Sequence, residues 1–188
     1  MQERENVIDI LEKAKKAIKE EDIITIKDLS NRTIHSSAIY QDPDNINIAV
    51  ILYALSKIIE RTHYRDLDGW NKFQETYESA LNNSLIALKK NDLEVYRDQI
   101  DRIKQAVTEL EGHLKKYIEE VFRKADINKA SRLYEHGISM ESTAKILGVS
   151  IWELNSYVGQ TGIGDVDLAY TLDIKQRLKN AEELFGVK

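Results

Sequence analysis

Four histidines, at positions 35, 63, 113 and 136, are the side chains best suited to proton transfer or metal binding in a chain that contains no cysteine. Without cysteine, disulfides and thiolate metal sites are excluded. Glu109 and His113 lie four apart and share a helix face, but two ligands do not make a site. No glycine-rich loop ends in Gly-Lys, so a phosphate-cradling loop is absent. Gly159, Gly162 and Gly164 read as a hinge or turn. Neither a metal nor a cofactor is expected. The polar cluster with the greatest chemical reach is Asn31, Arg32 and His35, with Tyr40 and Asp42 close behind in sequence. Arg32 and His35 fall on one side of a helix. Such a face could bind a phosphate or activate a 2′-hydroxyl; the plainer reading is a capping and ion-pair network that braces a helix corner.

A second pattern lies between residues 139 and 160. Ser139 reads as an N-cap for a short helix through Leu147, Gly148 as a turn residue, and Ser150 as the next N-cap, with Glu153 completing a capping box. The helix before it, about 127–136, ends on Gly137. Ala144 is small where two helices must cross closely, and Leu147, Val149, Leu154 and Tyr157 fall on the inner face. The run from Ala144 to Ser150 resembles the helix-turn-helix of many DNA-binding regulators, with Thr143 standing where that motif has an apolar residue. The resemblance implies that the second helix would read bases with Ser150, Trp152, Asn155, Ser156 and Gln160. Cations to meet phosphate are few. No Lys or Arg lies between 146 and 174, which leaves Lys145 and the later cluster Lys175, Arg177 and Lys179. A helix pair used for protein contacts, with Trp152 as its anchor, accounts for the same residues.

The elements that must position these residues are helical throughout. Residues 3–20 repeat apolar side chains at helical spacing, and a second helix should run from Ile23 to Tyr40. Asp42 then reads as the N-cap, and the lone proline, Pro43, as the first residue of a third helix, about 43–62, that is apolar nearly all round and therefore central. A fourth helix, about 67–90, presents Trp70, Phe73, Tyr77, Leu81, Leu85 and Leu88. The fifth is the most regular: Leu93, Tyr96, Ile100, Ile103, Val107, Leu110, Leu114, Tyr117 and Val121 form a heptad seam. One unbroken helix of about 45 Å is expected, with Gly112 inside it and part of its seam left for another surface or a second copy. In general style these N-terminal helices are similar to the HEPN family of helical ribonucleases and nucleotide-binding toxins. That resemblance implies Arg32 and His35 as its catalytic pair, although only two residues separate them here, fewer than in the family's motif.

Past residue 125 the heptad stops and glycines appear. An all-α protein is thus expected, with an N-terminal antiparallel bundle containing a long helical hairpin over 1–125 and a helix-turn-helix module over 126–188. In that module Val166, Leu168, Tyr170 and Leu172 suggest a short extended arm, and 173–185 a final helix. No convincing internal repeat is evident. The net charge of −5 in 188 residues excludes a globally electrostatic nucleic-acid binder; any such binding needs a local basic face. The N-terminus does not read as a signal peptide, and the longest apolar run, Ile48 to Leu55, is far short of the roughly 20 residues that span a membrane. A soluble cytoplasmic protein with no membrane partner is expected. Its Lys/Glu/Ile-rich, archaeal-like composition is compatible with a thermophile. The leading functional expectation is a non-enzymatic nucleic-acid-associated regulator or ribonucleoprotein adaptor, with DNA, RNA or a protein as partner. The alternatives are a helical-bundle RNase or nucleotide-binding enzyme and a structural homo-oligomer or scaffold.

Overall fold

The computed structural model describes residues 3–40 and 42–161. All regular structure among them is helical: α1 (Arg4–Lys19), α2 (Ile23–Tyr40), α3 (Pro43–Ile59), α4 (Trp70–Lys89), α5 (Leu93–Thr108), α6 (Gly112–Glu135), α7 (Met140–Leu147) and α8 (Ile151–Thr161), with a 3-10 turn at Thr62–Asp66. No described helix is long and apolar enough to cross a membrane. The extended arm expected near 166–172, the last helix and its basic cluster Lys175, Arg177 and Lys179 lie outside the described residues, as does the side chain of Tyr40.

Two hairpins, α1–α2 and α4–α5, flank the apolar α3. Both turn on one short sequence: Ala17-Ile18-Lys19-Glu20-Glu21-Asp22-Ile23 and Ala87-Leu88-Lys89-Lys90-Asn91-Asp92-Leu93. In each, the fifth residue is left-handed, with φ of 54° at Glu21 and 58° at Asn91. The aspartate that follows donates its backbone N–H to Ala17 or Ala87. It then caps the next helix by accepting from Thr25 N at 3.0 Å or Val95 N at 3.1 Å. The repeat therefore exists as a turn, reused 70 positions apart; seven residues are too few to stand out by sequence similarity alone. The third corner is built by Asp42, which accepts from Asp44 N at 3.0 Å, and by Pro43 in the first turn. The same α3 terminus is tied to α5 by a bidentate pair, Arg97 Nε and Nη2 on the two Asp44 oxygens at 2.9 and 2.8 Å.

The single long helix expected from Leu93 past Val121 is in fact two helices. α5 ends at Thr108, and α6 begins at Gly112, whose φ of +62° lies outside the helical region. At the break, Leu110 turns in against Gly69, where an added Cβ would stand 3.2 Å from Leu110 Cδ2. The heptad seam survives on both sides of the break but serves two surfaces. Tyr96, Ile100 and Ile103 lie on the half that pairs with α4, while Leu114, Ile118 and Val121 lie on α6, which packs on α3. Ile118 is the buried residue in place of Tyr117, which instead stacks on Tyr64. Apart from Tyr117, the buried seam residues of both halves are thus packed within the chain among the described residues.

α6 is continuous through residue 126, so the expected domain boundary falls inside a helix. Its C-terminal half carries α7 and α8: Ala130, Ala144, Leu154 and Val158 form a small core of their own, joined to the main one through Leu147.

Candidate functional site

α8 is set by the local chemistry that its sequence encodes. Ser139 Oγ accepts from Ser142 N at 3.1 Å to open α7. Gly148, at φ +67°, closes α7, and Ser150 Oγ accepts from Glu153 N at 3.1 Å to open α8. The Glu153 carboxylate is held below the usual carboxylate range by its hydrogen bonds to Ser150 and, next, by Arg123. That bond, Arg123 Nη1 to Glu153 Oε1 at 2.9 Å, pins the start of α8 to α6. Trp152 is left 83% exposed and Ile151 48%.

Between α8, the middle of α6 and the end of α3 runs an open groove of about 700 Å³. Its aromatic walls are Tyr53, Trp152 and Tyr157, the last fixed by Asn128 Nδ2 donating to its hydroxyl at 3.1 Å. Ser156 and Gln160 also line it. Four cations face it, Lys57, Arg61, Arg123 and Lys124, against the single lining carboxylate Glu153. Most of this charge is already engaged. Glu120 takes Arg123 at 2.9 Å and Lys124 at 3.2 Å, and these partners hold its carboxyl down at about 2. Lys57 pairs with Glu60 at 3.1 Å. Arg61 differs. It donates to the Lys57 carbonyl at 3.1 Å and sits 5.8 Å from the Tyr64 ring centroid, and among the described residues no carboxylate pairs with it.

Of the residues expected to bind, Trp152, Ser156 and Gln160 line this groove, while Ser150 is used as the helix cap. Asn155 is exposed on α8 but is not part of the groove wall. Lys145 lies in a different cleft, of about 750 Å³, with Asn47, Lys104 and Asp126. There burial pushes the Asp126 carboxyl up to about 6, against the pull of Lys104. The groove cations were missed in sequence because they come from α3 and α6, far from the motif. The signal available was Lys57 and Arg61 at i,i+4 and the adjacent pair Arg123-Lys124.

The polar cluster on α2 is divided among three jobs. Asn31 Oδ1 accepts from Lys129 Nζ at 2.9 Å, and Asp42 caps α3. His35 meets His136 edge-on at a centroid distance of 4.9 Å. The His136 pKa is lowered by burial and then by the charge of His35. Arg32 is exposed on α2, three residues before His35. Among the described residues no three imidazole or carboxylate groups gather as a metal site would require. No protein-family model, no curated protein and no solved structure matches the chain.

Proposed function

We propose that this protein is a non-enzymatic nucleic-acid-binding regulator or adaptor that makes its contact through the helix-turn-helix formed by α7 and α8. The observation that carries this reading is the groove beside α8, which exposed Trp152 lines together with four cations. Phosphate neutralisation supplies most of the affinity for nucleic acid, and here it is provided locally in a molecule of net negative charge. The basic face sits on the bundle side of α8, not on α8 itself. The bundle therefore forms half of the contact.

Salt titration of binding tests it. If all four cations meet phosphates of a single strand, log affinity falls against log salt with a slope of about −3. Three of them must first leave Glu60 or Glu120, so the measured slope should be shallower still. Arg61→Ala should reduce the slope by about 1. The absence of saturable binding to any nucleic acid at about 50 mM salt would defeat the proposal.

A ribonucleolytic second reading is favoured by one observation, the contact of His35 with His136. In such a pair the neutral imidazole would take the proton of a 2′-hydroxyl as it attacks the adjacent phosphorus. The protonated imidazole would return a proton to the leaving 5′-oxygen, with Arg32 against the phosphate charge. We expect RNA to remain intact in the presence of the wild-type protein. Cleavage that disappears in both His35→Ala and His136→Ala would install this reading in place of the first.

A further inference from the structure

We propose that the groove is built for single-stranded nucleic acid, with a base stacked on Trp152 and the adjoining phosphate held by Arg61; this rests on the nucleic-acid reading above and specifies its ligand.

Three features select a single strand over a duplex. The first is the Trp152 ring. An indole offers a flat face and one donor, which suits stacking and not the reading of base edges, and stacking needs a base whose own face is uncovered. In a duplex those faces are occupied by neighbouring pairs. The second is the charge on α8. A helix that enters the major groove needs cations along its flanks and donors at its tip. From Ile151 to Thr161 there is no Lys or Arg, and the first turn carries Glu153, which would face phosphates and acceptor edges with like charge. The third is shape. The cations line an open groove of about 700 Å³ between α8, α6 and the end of α3, which a flexible strand can follow along its length, whereas a duplex is a stiff rod on this scale.

The groove carries aromatic and cationic groups together, the combination that sequence-tolerant single-strand binding uses. Arg61, without a carboxylate partner among the described residues, is the cation that can take a phosphate without first breaking an ion pair. Tyr157 is pre-set for a second base by its hydrogen bond to Asn128.

The two tryptophans make the test direct. Trp70 is buried with its indole N–H on Gln74 Oε1, so quenching by a ligand reports on Trp152. The full chain is titrated with oligo(dT) and oligo(U) of about 12 nucleotides and with a duplex of the same length. The expected result is saturable quenching by both single strands and weaker binding of the duplex. Trp152→Ala, at an exposed position, should keep the fold and weaken single-strand binding about tenfold, measured by anisotropy of a labelled strand, while Trp152→Phe retains most of the affinity. Duplex binding equal to or tighter than single-strand binding, or no effect of Trp152→Ala, would overturn the inference and leave the nucleic-acid reading standing. Failure of all three probes to bind would remove both.

Discussion

The Lys129 ammonium lies 4.4 Å from the centroid of the Tyr53 ring, in a position with no exposed surface, and among the described residues its one hydrogen-bonding side chain is the neutral amide of Asn31. A ring face and an amide oxygen replace only part of the lost hydration. Burial, with a smaller effect from Arg132, pulls its pKa down to about 7.

Lys129→Met should therefore stabilise the protein in a pH-dependent way. Between about pH 7 and 10.5 the unfolded chain holds a proton that the folded one lacks, so this residue's penalty shrinks as pH rises through that window and is full below it. The variant's advantage should be largest at neutral pH, about 1 kcal/mol or more, and should close towards pH 10. Denaturant melts of both proteins at several pH values check this. A variant less stable than wild type at pH 7 would show that the ring and amide outweigh desolvation.

Asp126→Asn should behave in the opposite sense. The folded carboxyl titrates near 6 and the unfolded one near 3.8, so the folded state holds the extra proton between these values. Stability from this residue is lost as pH rises through that window. The variant should match wild type near pH 3.8 and melt a few degrees higher above pH 6, as followed by circular dichroism.

Thr143 is fully buried on α7, and among the described residues its hydroxyl has no hydrogen-bond partner. Thr143→Val keeps the shape and removes the stranded polar atom, so it should stabilise by about 1 kcal/mol. It also restores the apolar residue that the helix-turn-helix pattern lacks here. An unchanged denaturation midpoint would mean that the hydroxyl is solvated in solution.

The twin turns allow a paired test. Glu21 adopts the left-handed conformation that Asn91 occupies in the other hairpin, and asparagine tolerates it better. Glu21→Asn should stabilise by about 0.5 kcal/mol or more, less what is lost with the exposed Arg65 ion pair. Asn91→Glu should destabilise by a similar amount, which is readable in the same denaturant assay.

Helix identity was legible in this chain wherever a local signal sufficed. Asp42-Pro43, Ser139, Gly148 and Ser150 mark ends by capping chemistry that depends on neighbours a few positions away, and α2 runs from Ile23 to Tyr40 as its spacing requires. The break at Gly112 was not legible, because heptad spacing continues through it and only the packing of Leu110 on Gly69 sets the bend. The groove was half legible. Trp152, Ser156 and Gln160 belong to the motif that exposed them, but Lys57, Arg61, Arg123 and Lys124 reach it only through the crossing of α3 and α6. His136 was likewise invisible as a neighbour of His35, since 101 positions separate them.

The Gly112 bend also bears on how two such chains would meet. α5 and α6 carry consecutive halves of one apolar repeat, joined by Glu109, Leu110 and Glu111. Straightening that joint would give the long helix that the repeat encodes and carry α6 to α8 away from their own α3. Two straightened chains would each supply the other's missing half, and every contact in the pair would be one the monomer already makes. Such an exchange needs changed backbone angles at the extended Glu111 and the left-handed Gly112, and enough protein for the ends to find each other. The left-handed glycine is what sends the two halves of one repeat to two different surfaces.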